Sequence, residues 1–399
     1  MRMSAEERHE RIVELVRARG SLRVADLADA MNVSVATLRR DVEALALSGR
    51  LHRRHGAVVL PEAAGVFAPA TAPAAAARAR SSAVGGGVSG VSGGPVLGMV
   101  VPTASYYFTE VIRGAQTAAA QAGARLTLGV SEYRSEQDTV QVKGLLESGV
   151  DGLLLSPNWD AGTTSVEEQA VLGFGLPTVL VERRPAIGSI ADGLDWACSD
   201  HARGASLAVR HLAGLGHRRI ALLARPTTVT APALRAGFQG ALAALGLEGF
   251  ETWPGDEEPP EPYESVFEQL ADRLHDGVRT GAVRAAIVHT DLDAINLLRL
   301  LQARGLRIPE DLALVAYDDE MAALADVPLT AIAPPKRAVG AAAVRLLLHR
   351  MGHLRLPDSV AAGWAGADDA PAHHLELMPE LRIRASCGSQ QAEADRTSV

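Results

Sequence analysis

Ser34, Thr37, Arg39 and Arg40 lie within seven consecutive positions of a 399-residue chain, in the stretch NVSVATLRRDVEAL. Among them Val35, Leu38, Val42 and Leu45 recur at spacings of 3, 4 and 3, which is one face of a helix. With that face turned inward, Thr37, Arg39, Arg40 and Glu43 stand on or near the outward side, and Ser34 is placed to cap the helix. Hydroxyls and guanidiniums on an exposed helix can bond phosphates and reach base edges in a major groove. Arg53, Arg54 and His55 follow in LHRRHGAVVL, two short strands about a His55-Gly56 turn, a basic wing suited to phosphates or an adjacent minor groove. An Arg pair alone is more simply a solvated helix face. The ordered set of Ser cap, Arg pair and basic wing favours contact with DNA.

The elements that must hold these residues are legible upstream. Ser4 and Glu7 fit a capping box, and Ile12, Leu15 and Val16 mark one face of a helix ending near Gly20. A second short helix carries Val24, Leu27, Ala28 and Met31, and Asn32-Val33 turns the chain into the third. Residues 1–60 hold eleven Arg against eight Asp or Glu, a net +3 that leaves −11 of the total −8 on the remainder. A basic head on an acidic body suits a protein that meets nucleic acid at one end.

Residues 61–94, from PEAAGVFAPATAP to GGGVSGVSGG, are Ala, Pro, Gly and Ser with hardly an apolar anchor, which predicts a flexible linker. Beyond it, continuous apolar runs at 96–101, 124–130, 152–156, 177–182, 219–224, 285–289 and 312–317 alternate with amphipathic segments such as 108–123, 201–216 and 292–305. Continuous rather than alternating runs belong to parallel strands covered on both faces. Their alternation with helices predicts a doubly wound parallel α/β architecture, and the strand number favours two lobes over one. The stretches 254–262 and 356–374 read as surface insertions, with His373-His374 solvated, and 388–399 as a frayed tail.

Several function classes lose support on composition. No apolar run is long enough to span a bilayer, the N-terminus is charged where a signal peptide is apolar, and two cysteines make no disulfide scaffold, so a cytoplasmic protein is expected. No Gly-rich phosphate loop, G-x-S-x-G elbow or metal-spaced His/Asp/Glu set is found, so neither an enzyme nor a cofactor or metal site is expected. A solute-binding protein for transport is the other competitor, opposed by the basic head.

Val33, Ser34, Thr37, Leu38, Arg39, Arg40 and Asp41, with His55-Gly56 after them, resemble the recognition helix and wing of DeoR-type bacterial regulators. Ala57 stands where that family usually has a second Gly. The remainder resembles the effector domain of LacI/GalR-family repressors, related to periplasmic sugar-binding proteins. The resemblance rests on Gly98-Met-Val-Val-Pro102, Val150-Asp-Gly152, Pro177 to Arg183, Ser199-Asp200, Arg210 to Ile220, Gly237-Phe238, Thr290-Asp291, Gly305 to Leu312, Tyr317-Asp-Asp319 and Pro379 to Arg384.

The resemblance implies a sequence-specific transcriptional regulator, of repressor type, with a winged helix-turn-helix at 1–60 and a periplasmic-binding-protein-like domain at 95–387. Its two lobes would be joined by three crossovers, lobe 1 taking 95–184 and 292–322 and lobe 2 taking 185–291 and 323–387. A sugar or sugar derivative would bind between them and control affinity for a double-stranded, palindromic operator. A homodimer or higher oligomer is expected, because one winged helix covers a half-site. The implied effector contacts are Asp291, which could equally cap a helix, then Tyr106, Tyr107 and Phe108, the last open between pocket and core. One of Asn158, Trp159 and Asp160 joins them, and Arg183 is either a further contact or a hinge and lobe ion-pair residue. Two departures stand out: Leu234 occupies the place of a ligand-holding Arg, leaving Arg235 one step along as its substitute, and His201 follows Asp200 where Asn is common. The hinge helix of the lactose-repressor pattern is replaced by the Ala/Gly/Ser linker, so the wing is expected to make the accessory DNA contact.

Overall fold

A computed structural model describes residues 94–159, 166–251, 263–354 and 371–388 continuously, and before them residues 11–12, 15–16, 21–23, 27, 31, 52–54 and 57–59. The chain divides into two compact units, 1–87 and 88–399. In the first unit Ile12, Val16 and Leu27 are fully buried and Met31 nearly so, the inward faces that the spacing indicated. Strands β2 (His52–Arg54) and β3 (Ala57–Val59) pair antiparallel. A third strand, β1 (Ser21–Arg23), pairs with β3. It was not legible, because three residues between Gly20 and the next helix are too few to show a period of two. Arg53 and Arg54 lie on β2. Ser34, Thr37, Arg39, Arg40 and His55 lie outside the described residues, as do the linker up to residue 93, the insertions 254–262 and 356–370, and the tail from 389.

The second unit contains two six-stranded sheets. The first is wholly parallel, and its strands in chain order are β4 (Val96–Val101), β5 (Arg125–Val130), β6 (Gly152–Leu155), β7 (Thr178–Val181), β8 (Asp195–Ser199) and β14 (His374–Leu377). The second comprises β9 (Arg219–Ala224), β10 (Glu248–Glu251), β11 (Ala285–His289), β12 (Ala313–Tyr317), β13 (Thr330–Ala333) and β15 (Glu380–Arg382), with β15 alone antiparallel. Strands β6, β7, β8, β11 and β12 are buried along their whole length, as the apolar runs of all but β8 require.

Helices α1 (Tyr107–Gln121), α2 (Ser135–Glu147), α3 (Val166–Leu172) and α8 (Lys336–Arg350) belong with the first sheet; α4 (His201–Gly214), α5 (Ala231–Leu245), α6 (Tyr263–Arg279) and α7 (Asp291–Ala303) belong with the second. Helices α1 and α8 touch backbone to backbone: a Cβ on Gly114 would stand 2.1 Å from the Arg337 carbonyl oxygen, and one on Gly340 2.0 Å from that of Val111. Only glycine permits that approach.

The chain passes between sheets after β8, after β13 and after β14. Asp200, at the first passage, caps α4 by accepting from the Arg203 N–H. Three passages agree with expectation, but the expected lobe boundaries need correction. Residues 292–322 do not return to the first sheet, since β12 pairs with β11 and β13; conversely β8, α8 and β14 complete the first sheet. Apolar runs identify strands without saying which sheet each one joins. His374 opens β14 and is exposed, as expected, with its ring stacked 4.7 Å from that of Trp196; His373, just before the strand, is half-buried, its carbonyl accepting from the Trp196 N–H. Among the described residues no helix is long and apolar enough to cross a membrane, and no cluster of His, Cys, Asp and Glu could hold a metal ion.

Candidate effector site

In a parallel α/β sheet the strand C-termini open onto helix starts, and ligands collect at that edge. Both sheets present that edge to one cavity of about 250 Å³. Lobe 1 contributes Tyr106, Tyr107 and Phe108 after β4, Tyr133 after β5, and Glu182 and Arg183 after β7; His201 stands at the crossing into α4. Lobe 2 contributes Thr227 to Thr230 after β9, His289 and Thr290 at the end of β11, and Asp318 after β12.

Glu182 is the hub of the lobe 1 wall. Its backbone is held at φ 53, and its carboxylate accepts from the Tyr107 hydroxyl (2.8 Å), the Ser199 N–H (2.9 Å) and the Ser199 hydroxyl (2.8 Å). Burial alone would raise this carboxyl, but His201, 3.6 Å away, together with the Ser199 donors holds it below the usual range. His201 is fixed from its other nitrogen, Nδ1 lying 2.9 Å from the Tyr317 hydroxyl.

Opposite stands Asp318. Burial pushes its carboxyl up to about 7, the nearby Asp291, Glu320 and Glu182 add to the shift, and Lys336 opposes it. His289 Nε2 is 3.9 Å from Asp318 Oδ2; burial, then His201 and Arg225, lower that imidazole to about 3. The wall at neutral pH therefore carries an ionised Glu182, an Asp318 whose carboxyl keeps its proton far above the ordinary aspartate range and an uncharged His289, all able to exchange hydrogen bonds with hydroxyl groups. The Lys336 ammonium donates to the Asp318 carbonyl and to Glu320, and lies 5.1 Å from the Tyr107 ring centroid, tying the start of α8 to the exit of β12.

The anticipated residues divide. Tyr106, Tyr107, Phe108 and Arg183 line the cavity. Phe108 is only 4 % exposed and also belongs to the lobe 1 core. Arg183 is fixed by Nε to the Pro157 carbonyl (2.7 Å) and by one terminal nitrogen to that of Glu182 (2.8 Å), with its guanidinium over Phe108. Asp291 is not on the wall. It is fully buried at the start of α7, accepting from the Tyr106 hydroxyl and the Met321 and Ala322 N–H groups, while Thr290 caps the helix. Its carboxylate thus links lobe 2 to Tyr106 of lobe 1, and burial with the adjacent Asp318 and Asp291 raises the Tyr106 hydroxyl above the ordinary phenol range.

Arg235 is also off the wall, donating to the Ala224 carbonyl at 3.3 Å, and Leu234 is wholly buried beside Phe238. Asn158 is held by Asp138 and Ser131, away from the cavity, and Trp159 borders a smaller recess beside it. Asp160 lies outside the described residues. Sequence reasoning missed Glu182, Asp318, His289, Tyr133 and the Thr227–Thr230 turn. The available signal was position: each follows, or ends, a strand whose C-terminus opens at this edge.

The DeoR-like helix-turn-helix family model matches residues 8–64, and that of the periplasmic binding protein-like domain matches residues 209–387. The ribose operon repressor of Escherichia coli K12 is 28% identical over 262 residues, covering 64% of this chain and 75% of the relative. The HTH-type transcriptional regulator CelR of Thermobifida fusca is 32% identical over 254 residues, 61% of this chain and 69% of the relative. Among solved structures, a LacI family transcriptional regulator from Enterococcus faecium with bound ribose superposes with a TM-score of 0.55 at 22% identity, covering 73% of this chain and 98% of that one. With two sheets opening on one cavity and relatives of this kind, the chain belongs to the LacI/GalR family of transcriptional regulators and carries a DeoR-like helix-turn-helix at its N-terminus.

Proposed function

We propose that the chain represses transcription from a palindromic operator and is controlled by a monosaccharide or close derivative bound between its lobes. The observation that carries the effector reading is the two-lobed wall of the 250 Å³ cavity. Aromatic faces of Tyr106, Tyr107, Phe108 and Tyr133 suit the apolar edges of a sugar ring, while Glu182, His289 and Asp318 suit its hydroxyls. Relatives named for ribose control, and a fold relative with ribose bound, support that ligand class. Arg183 orients Glu182 and Phe108. Asp291 acts one step back by setting Tyr106, and Trp159 serves the recess.

Ser34, Thr37, Arg39 and Arg40 read the major groove, and Arg53, Arg54 and His55 hold the flanking backbone. The chain works in the cytoplasm, as a homodimer or higher oligomer, by binding and without turnover. Operator retardation by the full chain, repeated with a panel of pentoses and hexoses, tests the reading. A sugar that raises the thermal midpoint and also shifts operator affinity is the expected result; a panel that does neither refutes the effector assignment.

A further inference from the structure

Beside the effector cavity lies a recess of about 60 Å³, and the two share Arg183 and Val229 as walls. Lobe 1 forms nearly all of it, through Pro157 and Trp159 after β6, Glu168 on α3, and Ser189 between β7 and β8; Val229 closes it from lobe 2. Two of its lining residues, Trp159 and Ser189, each carry a polar atom, Nε1 and Oγ, that is buried with no hydrogen-bond partner. Buried polar atoms are nearly always paired, so two orphans on one recess mark a place for a polar guest.

The guest's chemistry follows from the walls. An indole N–H only donates, whereas a serine hydroxyl donates and accepts, so a guest hydroxyl can satisfy both. A cation would meet the guanidiniums of Arg183 and Arg184, and an anion would meet the buried Glu168 carboxylate, which accepts from the Ala191 N–H at 3.0 Å. The recess is about a quarter of the main cavity by volume, too small for a second ring and sufficient for one hydroxylated carbon.

We propose that this recess is a specificity subsite for a hydroxymethyl-sized arm of the effector, so that the chain prefers a hexose over the pentose of identical ring stereochemistry. The proposal rests on the effector reading above and adds to it which sugars are chosen. Trp159 and Ser189 are its determinants, and Val229 seals the arm in when the lobes meet.

Titration calorimetry of the full chain with the pairs xylose and glucose, L-arabinose and galactose, ribose and allose, and lyxose and mannose tests it. In the pair that binds, the hexose is tighter. Ser189→Ala and Trp159→Phe each weaken the hexose roughly threefold to tenfold while leaving the pentose unchanged. Unchanged thermal midpoints of the two ligand-free variants show that the fold is intact. A pentose that binds as well as its hexose, or variants that weaken both members equally, overturn the subsite and leave the effector reading standing. Silence from every sugar overturns the effector reading and the subsite with it.

Discussion

Asp318→Asn removes the raised carboxyl of the cavity wall with almost no change in side-chain volume. An ordinary aspartate at 3.8, raised to about 7 by burial and by Asp291, Glu320 and Glu182 against the single opposing Lys336, holds its proton more tightly folded than unfolded. The contribution of such a group is fully favourable below the unfolded value and is lost as pH rises through the folded one. The interval corresponds to about 4 kcal/mol at 1.36 kcal/mol per unit, and Asp318 is only 3 % exposed, so little is screened away. Wild type and Asp318→Asn are thus expected to be about equally stable near pH 4 and to diverge up to pH 7 or 8. There the Asn variant gains up to about 4 kcal/mol. All four tryptophans lie beyond residue 94, so denaturant unfolding followed by their fluorescence reports the effector-binding unit without the head. Acids away from Asp318 cancel in the difference, while the interactions with Asp291, Glu320 and Glu182 are lost with its charge and are already part of its shift. A stability difference that stays flat from pH 4 to 8 refutes the reasoning.

At Gly340 an added Cβ would stand 2.0 Å from the Val111 carbonyl, so Gly340→Ala is expected to lower the unfolding free energy from denaturant titration by about 1–3 kcal/mol. Gly144, exposed on α2 with nothing within 4 Å of its would-be Cβ, is the opposite case, and Gly144→Ala is expected to gain about 0.5–1 kcal/mol in the same assay. Arg350 clamps the buried Asp195 carboxylate at 2.6 and 3.0 Å; Arg350→Met strands that charge and is expected to cost about 3 kcal/mol, read from thermal or denaturant melts. Arg39→Ala or Arg40→Ala is expected to weaken operator binding by roughly 1–3 kcal/mol in retardation assays if the residue reads a base, and no change in either single variant sinks the recognition-helix assignment.

The sequence makes the uninterrupted strands plain, because a strand buried on both faces must be apolar throughout: β4, β6, β7, β9, β11 and β12 were all anticipated. Strand β8, DWACS, was hidden by Asp195 at its start. That residue is tolerable in a core because Arg350, 155 positions away, and the His373 N–H reach it. The site shows the same limit. Tyr106, Tyr107, Phe108 and Arg183 were found from where they fall after strands, whereas Asp291 was placed on the wall because its partner Tyr106, 185 positions away, could not be foreseen. Lobe membership failed for a related reason: β12 and β13 are joined by pairing in space, and no local period records it.

Leu234 decides what kind of effector this cleft can hold. A family pattern that places Arg there would supply a free cation from α5, but here the position is wholly buried with Phe238, and Arg235 turns to the Ala224 carbonyl. Arg225, just beyond β9, is taken by both oxygens of Asp293 at 2.9 and 2.5 Å. Among the described residues Arg183 is the one guanidinium on the cavity wall, and two backbone carbonyls already fix it. Against it stand Glu182 and Asp318 on the wall, with Asp291 and Glu320 close behind. A phosphoryl group would bring about −1.5 to −2 charges at neutral pH into that company and leave them poorly matched. The effector is therefore expected to be an uncharged sugar, with its 5- or 6-phosphate binding at least roughly tenfold more weakly, as like charges disfavour by more than 1 kcal/mol at such range. Calorimetry on a sugar and its phosphate decides it, and a tighter phosphate would mean that Arg183 leaves its carbonyls to meet the ligand.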